Sequence, residues 1–381
     1  MVIKKDDQLI SSIANFPNVE KKTVINLDTN EFINLINLSL GFYNPIRGFC
    51  NLNDLKKILN KKKIDKRNSW TIPILLNLKS NKKLSKKKFY KLKYNRNIVG
   101  LIKTNDLFKI DRKIFSKKVF NTTSKLHPYV KFLYNCNNYF LGGKVFLLQN
   151  AIPKDQYFIY NQIRNKGNLN FFKKSVVFST RNFCHLGHQF LHEFIIKNNK
   201  NLTICIIENE GNKFDPNEIV KSYKILKKNI PIYKNILVTK IYLPSFYAGP
   251  NEAYLQAKYF NNVGFKKFII GRNHAGFKNF FKKYESQKIF KRLSRLKIKI
   301  IKTKEPLICF SCLNVGFENS KFCRCQKLTK LLTIDGKNVK NLLINKNFLK
   351  VKKYLNPYIF NYLKKNLNKI RKFKGLNYYI K

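Results

Sequence analysis

Acidic residues, histidine, methionine and tryptophan are all scarce in this sequence. Its 381 residues include 20 Asp and Glu against 77 Lys and Arg, which gives a formal net charge of +57, and only five His, one Met and one Trp. Such an excess of positive charge is the usual electrostatic signature of a nucleic-acid-binding protein. The lysines, however, are spread along the whole chain and accompany Asn, Ile, Phe and Tyr, whose codons are rich in A and T. We therefore attribute the charge mainly to an AT-rich genome and expect no specific nucleic-acid partner.

Long apolar runs are also missing. The first residues, MVIKKDDQLISSIANF, contain no run of signal-peptide length. No uninterrupted stretch reaches the length of about 18 apolar residues that a membrane span requires. The sequence Gly-x4-Gly-Lys-Ser/Thr is absent as well, which excludes a fused kinase of the P-loop type. With 44% hydrophobic residues the chain can still form two or three domain cores, and we expect a cytoplasmic protein without membrane contact.

Apolar periodicity divides the chain into three regions. Residues 1–168 alternate short apolar runs with polar turns, for example IPILLNL, NIVGLIKT and NYFLGGKVFLLQ, which predicts a mostly β domain. In residues 169–304 apolar strands such as SVVFST and LTICIIE alternate with helical segments, which predicts a doubly wound parallel sheet of the α/β class. Residues 305–381 contain a cysteine cluster and then a helical pattern, YIFNYLKKNLNKI. We predict a domain boundary at each change of pattern.

Three of the five histidines, His185, His188 and His192, follow the predicted strand SVVFST. In an open α/β sheet, ligands bind beyond the carboxyl ends of the strands, at the N-termini of the following helices. We therefore predict that His185 in the loop and His188 in the first helical turn contact the phosphates of a nucleotide. The alternative is that these rings cap the helix or fill a core, and we expect His192 to give structural support. Cys184 lacks a base and an orienting partner, so we interpret it as a buried thiol.

A second loop, FIIGRNHAGFKN, also follows an apolar strand and combines glycines with an arginine and a histidine. We regard Gly271, Arg272, Asn273, His274 and Ala275 as a second candidate site loop, although a purely structural turn would account for the glycines. A third segment, LPSFYAGPNEAYLQA, begins another helix at a Gly-Pro turn.

The eight cysteines comprise four scattered residues and four that lie within 17 residues of sequence. This distribution indicates a reducing compartment and one metal site rather than a disulfide framework. The cluster consists of Cys309 and Cys312 and, after ten intervening residues, Cys323 and Cys325. Four thiolates at this spacing are typical of a structural tetrahedral zinc site, which leaves no open position for catalysis. The alternative is four reduced thiols that remain from a lost site.

Taken together, these segments resemble the motifs of the ATP sulfurylase (sulfate adenylyltransferase) family, in the family's order. STRNFCHLGH resembles its Gln-x-Arg-Asn-Pro-x-His-x-x-His, FYAGPNEA its Arg-Tyr-Ala-Gly-Pro-x-Glu-Ala, and GRNHAG its Gly-Arg-Asp-His-Ala-Gly. In the N-terminal half, GFYNPIRGFCN is similar to its Gly-x-Phe-x-Pro-Leu-x-Gly-Phe-Met. The resemblance implies a kinase-free bacterial-type member with a PUA-like N-terminal domain, a nucleotidyltransferase domain and a zinc site. Some bacterial members have a histidine at the position of Cys325.

The family's reaction joins sulfate to the α-phosphate of MgATP, giving adenosine 5′-phosphosulfate and pyrophosphate, or runs in reverse. Because sulfate needs no deprotonation, catalysis would depend on positioning and charge neutralisation. The resemblance implies that Arg181 and Arg272 hold sulfate and that His185 and His188 stabilise charge on the phosphates. The other implied site residues are Thr180 and Asn182 beside Arg181, Ala275 through its backbone, and Gly271, Asn273, His274 and Ile301 along the nucleotide. The implied cofactors are Mg²⁺ with ATP and a structural Zn²⁺, and the implied assembly is a homo-oligomer.

Four positions depart from the family motifs. Ser179 stands where the family has a glutamine that contacts sulfate, Phe183 where it has proline, Phe246 where it has arginine and Asn273 where it has aspartate. We expect these departures to weaken substrate binding and to reduce activity.

Two other functions stay open at this point. The first is another adenylyltransferase of the same superfamily, against which the GRNHAG loop and the long N-terminal region count. The second is a basic nucleotide- or RNA-binding remnant of the family, which predicts salt-dependent RNA binding without pyrophosphate release.

Overall fold

The computed structural model describes residues 8–79, 84–164, 169–199, 201–212, 214–327, 331–334 and 336–370. Its N-terminal region is built from seven strands and four helices. These are β1 (Leu9–Ile10), β2 (Val19–Leu27), α1 (Thr29–Ser39), β3 (Gly48–Phe49), α2 (Leu52–Lys61), β4 (Leu76–Asn77), β5 (Phe89–Tyr94), β6 (Asn97–Lys109), α3 (Arg112–Phe120), α4 (Pro128–Asn135) and β7 (Tyr139–Leu148).

The seven strands form one mixed sheet in the order β1-β7-β6-β5-β2, with β3 and β4 also paired to β7. β5 and β6 form an antiparallel hairpin, and residues of β5 alternate between half-buried and buried, as a strand with one core-facing side requires. The run IPILLNL was predicted as a strand but pairs only at β4, since Pro73 has no N–H group to donate to a ladder.

The central region alternates helices and strands. Its elements are α5 (Lys154–Arg164), α6 (Leu169–Lys174), β8 (Val176–Thr180), α7 (Leu186–Asn199), β9 (Leu202–Glu208), α8 (Pro216–Asn229), β10 (Leu237–Tyr242), α9 (Pro250–Val263), β11 (Lys267–Ile270), α10 (Glu285–Lys288) and β12 (Lys299–Lys302). The strands are all parallel and lie in the order β10-β9-β8-β11-β12. The chain therefore builds the sheet outward from β8 in one direction and then returns to place β11 on the other side. The gap between β8 and β11 is the topological switch point, where ligands bind in sheets of this type.

The C-terminal region adds β13 (Pro306–Cys309), β14 (Val315–Phe317), β15 (Leu331–Thr333), α11 (Gly336–Ile344), α12 (Phe348–Val351) and α13 (Pro357–Ile370). The three strands form a small antiparallel sheet in the order β14-β13-β15. This sheet packs on α7, where the ring of Phe317 lies 4.9 Å from that of Phe190 and 5.3 Å from that of Phe194. Single 3₁₀ turns occur at Gln149–Ala151, Pro231–Tyr233, Ile289–Lys291, Arg324–Lys327 and Lys352–Tyr354.

Two apolar cores cover the opposite faces of the parallel sheet. Alternate residues of each strand enter different cores, as Phe268 and Ile269 of β11 illustrate. The first core continues through α9 into the N-terminal sheet, where Trp70 packs against Tyr43 at 5.7 Å between ring centres. The second continues through α7 and α8 into the C-terminal helices, which contribute Leu363. Both flanking regions are thus packed directly against the sheet that carries the candidate site.

The predicted fold class, a mostly β region followed by a doubly wound parallel sheet, is confirmed. The predicted boundary between residues 168 and 169 falls beside residues 165–168, which lie outside the described residues, and the division into 1–168, 169–304 and 305–381 stays a prediction. None of the helices that the structure describes has the length and apolar character needed to cross a membrane.

Candidate active site

The two candidate loops meet at the switch point. β8 ends at Thr180 and continues into the loop that carries Arg181, Asn182 and His185, while the neighbouring strand β11 ends at Ile270 and continues into the second loop. Because the strands are parallel and adjacent, both loops leave the same edge of the sheet. The structure thereby brings together the two motifs that the sequence singled out.

His185 caps helix α7. Its Nδ1 accepts a hydrogen bond from the backbone N–H of His188 at 3.2 Å, and its carbonyl accepts one from Gln189 at 2.9 Å. A neutral imidazole that accepts at Nδ1 carries its proton on Nε2, so His185 has an N–H group to donate. The structure thus shows the helix-capping alternative for Nδ1 of His185. Capping through Nδ1 is compatible with a phosphate contact through Nε2.

His188 lies against His185, with ring centres 3.8 Å apart and planes 29° from parallel. Burial holds the pKa of His188 well below its ordinary value, and the neighbouring His185 and His192 lower it further. Its Nδ1 is buried and has no hydrogen-bond partner among the described residues. A buried ring nitrogen without a partner is uncommon in a folded protein and is typical of a ligand-binding position.

His192 and Cys184 lie behind this pair, away from solvent. The Nδ1 atom of His192 is 3.0 Å from Tyr233 Oη, and burial lowers the pKa of this histidine to about 3. Burial also raises the pKa of the Cys184 thiol to about 12, so this thiol is inert as a nucleophile at neutral pH. Phe178 packs edge-on against His192 at 4.6 Å between ring centres. These side chains form the wall that supports the histidine loop.

The start of the loop is fixed by Thr180, whose Oγ1 accepts a hydrogen bond from the backbone N–H of Asn182 at 3.0 Å. The hydroxyl of the preceding Ser179 is buried and has no hydrogen-bond partner among the described residues. This is the position at which the sequence departs from the family glutamine, and the structure leaves its only polar side-chain atom unsatisfied.

Arg181 is held by polar and aromatic groups. Its Nη1 donates to Ser245 Oγ, and its guanidinium carbon lies 5.1 Å from the centre of the Tyr247 ring. Asn209 donates to the same Ser245 hydroxyl at 2.8 Å, which fixes the position of that acceptor. Across the described residues, no carboxylate lies within ion-pair distance of Arg181. Its charge does act on the buried carboxyl of Glu252, whose pKa it lowers against the larger effect of burial, but no described carboxylate occupies its hydrogen-bond donors.

Arg272, in contrast, already has a carboxylate partner. Its Nη1 lies 2.8 Å from an oxygen of Glu305, just before β13. The sequence predicted that both arginines hold sulfate, and the structure places only one of them without an ion pair.

The remaining residues of the second loop take different positions. His274 Nε2 lies 2.8 Å from Gln256 Oε1, and Ala275, at φ 55°, accepts a hydrogen bond from the N–H of Gly249 through its carbonyl. Asn273 is exposed, and a Cβ atom added to Gly271 would meet nothing within 4 Å, so the loop opens towards solvent there. Ile301 lies on β12, where it pairs with Ile269 of β11. It is therefore one strand further from the histidine loop than the second loop is.

Several residues that organise the site are not among the predicted site residues. Ser245, Glu252 and Gln256 lie in the third motif segment, LPSFYAGPNEAYLQA. Glu252 and Gln256 are one helical turn apart in α9, a spacing that places both on one face and could have identified them as a pair. Asn209 and Glu305 carry no comparable signal.

The C-terminal region also touches the histidine loop. A Cβ atom on Gly336 would lie 2.9 Å from Cγ of Asn182 and still closer to its Nδ2. A Cβ on Gly187 would lie 3.2 Å from that of Ile334. Residues on either side of the start of α11 therefore pack directly over the loop.

The four clustered cysteines are brought together by the small sheet. One ligand atom from each of Cys309, Cys312, Cys323 and Cys325 lies within 4.8 Å of all the others. Around a tetrahedral zinc ion with bonds of about 2.3 Å, the sulfur atoms are roughly 3.8 Å apart. The donor set and its spacing therefore fit such an ion after small shifts.

A parallel sheet with arginine- and histidine-bearing loops at its switch point defines a nucleotide-binding protein of the doubly wound α/β class. Two family descriptions match the chain: ATP-sulfurylase over residues 158–365, and PUA-like domain over residues 9–150. The chain belongs to the ATP-sulfurylase family. The resemblance seen in the sequence and the expected PUA-like N-terminal region are thereby confirmed.

Curated relatives are similar over most of their length. The sulfate adenylyltransferase of Thermococcus onnurineus is 27% identical over 324 residues, covering 83% of this chain and 82% of the relative. That of Pyrococcus abyssi is 26% identical over 345 residues, covering 89% of this chain and 88% of the relative. That of Chloroflexus aurantiacus is 28% identical over 298 residues, covering 76% of this chain and 78% of the relative.

Among solved structures, a hexameric APS kinase from Thiobacillus denitrificans has a similar fold, with a TM-score of 0.63 and 14% identity over 90% of this chain. The present chain spans only 62% of the length of that protein.

Proposed function

We propose that this protein is a sulfate adenylyltransferase, which joins sulfate to the α-phosphate of ATP and releases pyrophosphate, or catalyses the reverse reaction. The observation that carries the proposal is the convergence of the Arg181 loop and the His274 loop at the switch point between β8 and β11. Membership of the ATP-sulfurylase family supports the same activity.

In this proposal the first loop contacts both sulfate and the phosphates, while the second loop mainly lines the nucleotide. Arg181 binds sulfate, since its guanidinium is oriented by Ser245 and Tyr247 and has no described ion-pair partner. His185 donates its Nε2–H to a phosphate oxygen, and the otherwise unpartnered Nδ1 of His188 donates to the same phosphate when it carries a proton. Thr180 and Asn182 hold the loop, and the backbone of Ala275 contributes to the sulfate site. The nucleotide is lined by Gly271, Asn273, His274 and Ile301.

Sulfate attacks the α-phosphorus in line. Because sulfate needs no deprotonation, no general base is required. The protein's contribution is to place two anions together and to neutralise the charge that develops on the leaving pyrophosphate. Mg²⁺ would enter with ATP and supply charge neutralisation at the phosphates. A neutral His188 becomes easier to protonate beside a polyphosphate, because a nearby negative charge favours the imidazolium form.

Two features are expected to weaken sulfate binding. Arg272 is paired with Glu305, so sulfate has to compete with a carboxylate for this guanidinium. Ser179 is too short to reach as far as the family glutamine. We therefore propose an active enzyme with a high KM for sulfate.

The four cysteines are proposed to bind one structural zinc ion. All four ligand positions are filled by protein, so the ion would have no open site for substrate. The distribution of the eight cysteines, four scattered and four clustered, supports a reducing, cytoplasmic location. A homo-oligomer is proposed for the assembly.

The decisive experiment is pyrophosphate release measured with ATP, Mg²⁺ and sulfate. We expect release that depends on sulfate and is not replaced by nicotinate mononucleotide or phosphopantetheine as acceptor. Arg181→Ala should abolish it, whereas Arg96→Ala, which removes an exposed arginine from the β5–β6 hairpin, should leave it unchanged. Release that is indifferent to sulfate, or equal loss in both variants, would refute the proposal.

A further inference from the structure

A chain of three buried or half-buried side chains runs from α9 into the second loop. Glu252 and Gln256 are 4% and 5% exposed, and Gln256 lies between Glu252 and His274. A Glu at the third position of a helix often only caps the helix terminus, and Glu252 does accept from the N–H of Ala248 at 3.1 Å. The cap does not account for the two contacts that lead on to His274.

The direction of these hydrogen bonds follows from which atoms can donate. Above the pKa of about 7 to which burial raises Glu252, its carboxylate only accepts, so the Gln256 amide turns its Nε2 towards Glu252, where the distance to Oε1 is 3.3 Å. This orientation leaves Gln256 Oε1 facing His274 Nε2 at 2.8 Å. Because the Gln256 amide oxygen can only accept a hydrogen bond, His274 Nε2 must carry the hydrogen that it donates.

The ring of His274 is neutral at physiological pH. Burial lowers its pKa to about 4, and the positive charge of Arg181 contributes in the same direction. The backbone around the ring is fixed as well, since Ser286 Oγ donates to the His274 carbonyl at 2.9 Å. A neutral ring with its proton on Nε2 has a lone pair on Nδ1 and no second N–H group.

We propose that Glu252 and Gln256 are positioning residues that fix His274 as the Nε2–H tautomer, so that Nδ1 accepts a hydrogen bond from the nucleoside part of the substrate. Phosphate and sulfate oxygens only accept hydrogen bonds, so this ring cannot bind them. The group that it recognises is a donor, either a ribose hydroxyl or the adenine amino group. The inference rests on the proposed function in that the ligand is taken to be ATP.

The tautomer is measured directly by long-range ¹H–¹⁵N correlation spectra of protein labelled with ¹⁵N-histidine. Only five histidines contribute signals, and the His274→Asn spectrum identifies those of residue 274. At pH 8, above the pKa of about 7 to which burial raises Glu252, we expect a protonated Nε2 and an unprotonated Nδ1. An Nδ1–H tautomer in the wild-type protein would overturn the proposal.

Kinetics test the positioning role. Gln256→Met removes the acceptor at similar length, and we expect mixed tautomers of His274 and a KM for ATP raised about threefold to tenfold, equivalent to one hydrogen bond. The KM for sulfate should hardly change. Gln156→Met is the control, because Gln156 is also buried but bonds to Asn37 Oδ1, Tyr259 Oη and the N–H of Tyr242 rather than to a histidine. If Gln256→Met leaves both the His274 tautomer and the KM for ATP unchanged, the hydrogen bonds from Glu252 to His274 have only a structural role and the proposal is wrong.

Substrate analogues separate the two donors. Wild-type enzyme should lose affinity for 2′-deoxy-ATP or 3′-deoxy-ATP if a ribose hydroxyl donates, and for purine riboside triphosphate if the adenine amino group does. Gln256→Met should not discriminate against the same analogue. Equal behaviour of all analogues in both proteins would overturn the acceptor role. Because the tautomer is read without turnover, its failure is distinguishable from a failure of sulfate-dependent pyrophosphate release.

Discussion

Replacement of Gly336 by alanine tests whether the C-terminal region holds the catalytic loop in place. The added methyl carbon would lie 2.9 Å from Cγ of Asn182, whereas carbon atoms in ordinary contact are about 3.5–4.0 Å apart. Because Nδ2 of Asn182 would be closer still, the amide would have to move by about 1 Å. A displacement of this size at a reacting site can reduce turnover by about a hundredfold. Overpacking of about 1–3 kcal/mol would be partly offset by the better helix propensity of alanine, about 1 kcal/mol.

The assay combines sulfate-dependent pyrophosphate release with urea denaturation. We expect Gly336→Ala to lose about two orders of magnitude in kcat while the free energy of unfolding falls by no more than about 2 kcal/mol. The matched control is the double variant with Asn182→Ala, in which the methyl group meets no amide. In that background Gly336→Ala should have no further effect on kcat. Additive effects of the two substitutions would refute the contact as the cause.

Three further predictions concern the capping histidine, the cysteines and Glu252. His185→Ala should lower the free energy of unfolding by about 1 kcal/mol and kcat by about a hundredfold, while His185→Asn should restore stability but not kcat. Normal kcat in the Asn variant would contradict a phosphate contact. Elemental analysis of protein purified without chelator should find about one zinc per chain, and Cys325→Ser should retain less, whereas active protein without zinc would contradict the site.

For Glu252, burial raises the pKa from its ordinary 4.5 to about 7, so the folded protein binds this proton more tightly than the unfolded chain. The resulting stability is complete below about pH 4.5 and is lost as the pH rises towards 7, by about 3 kcal/mol relative to Glu252→Gln. Urea denaturation at pH 5 and pH 8 measures it, and a difference between the two proteins that does not change with pH would contradict the shift.

The sequence could locate the histidine loop and the GRNHAG loop because each follows a strand of continuous apolar residues, and catalytic loops of parallel sheets follow their strands. It could not show that the two loops are neighbours. That depends on β11 returning beside β8 rather than beside β10, a crossover that no local pattern specifies. The family resemblance supplied this part of the prediction, and the strand order gives it a physical basis.

The partners of the loop residues were harder to predict. The ion pair between Arg272 and Glu305 joins the loop after β11 to the connection between β12 and β13, and the hydrogen bond from Arg181 joins the loop after β8 to Ser245 after β10. Capping by His185 was weighed as an alternative, although a histidine is a less common cap than Ser, Thr, Asp or Asn. Such side-chain contacts join segments that are distant in sequence. They cannot be predicted from the spacing of residues within one segment.

The cysteine cluster and the catalytic loops are connected through the small antiparallel sheet. Glu305, which pairs with Arg272, immediately precedes β13, and Cys309 ends that strand only four residues later. β13 pairs with β15, whose next residue, Ile334, packs over Gly187. A metal ion at the cysteines would thus fix one end of the strand whose other end adjoins the ion-pair partner of Arg272. In this arrangement the cysteine cluster would act through the geometry of β13 rather than through chemistry of its own.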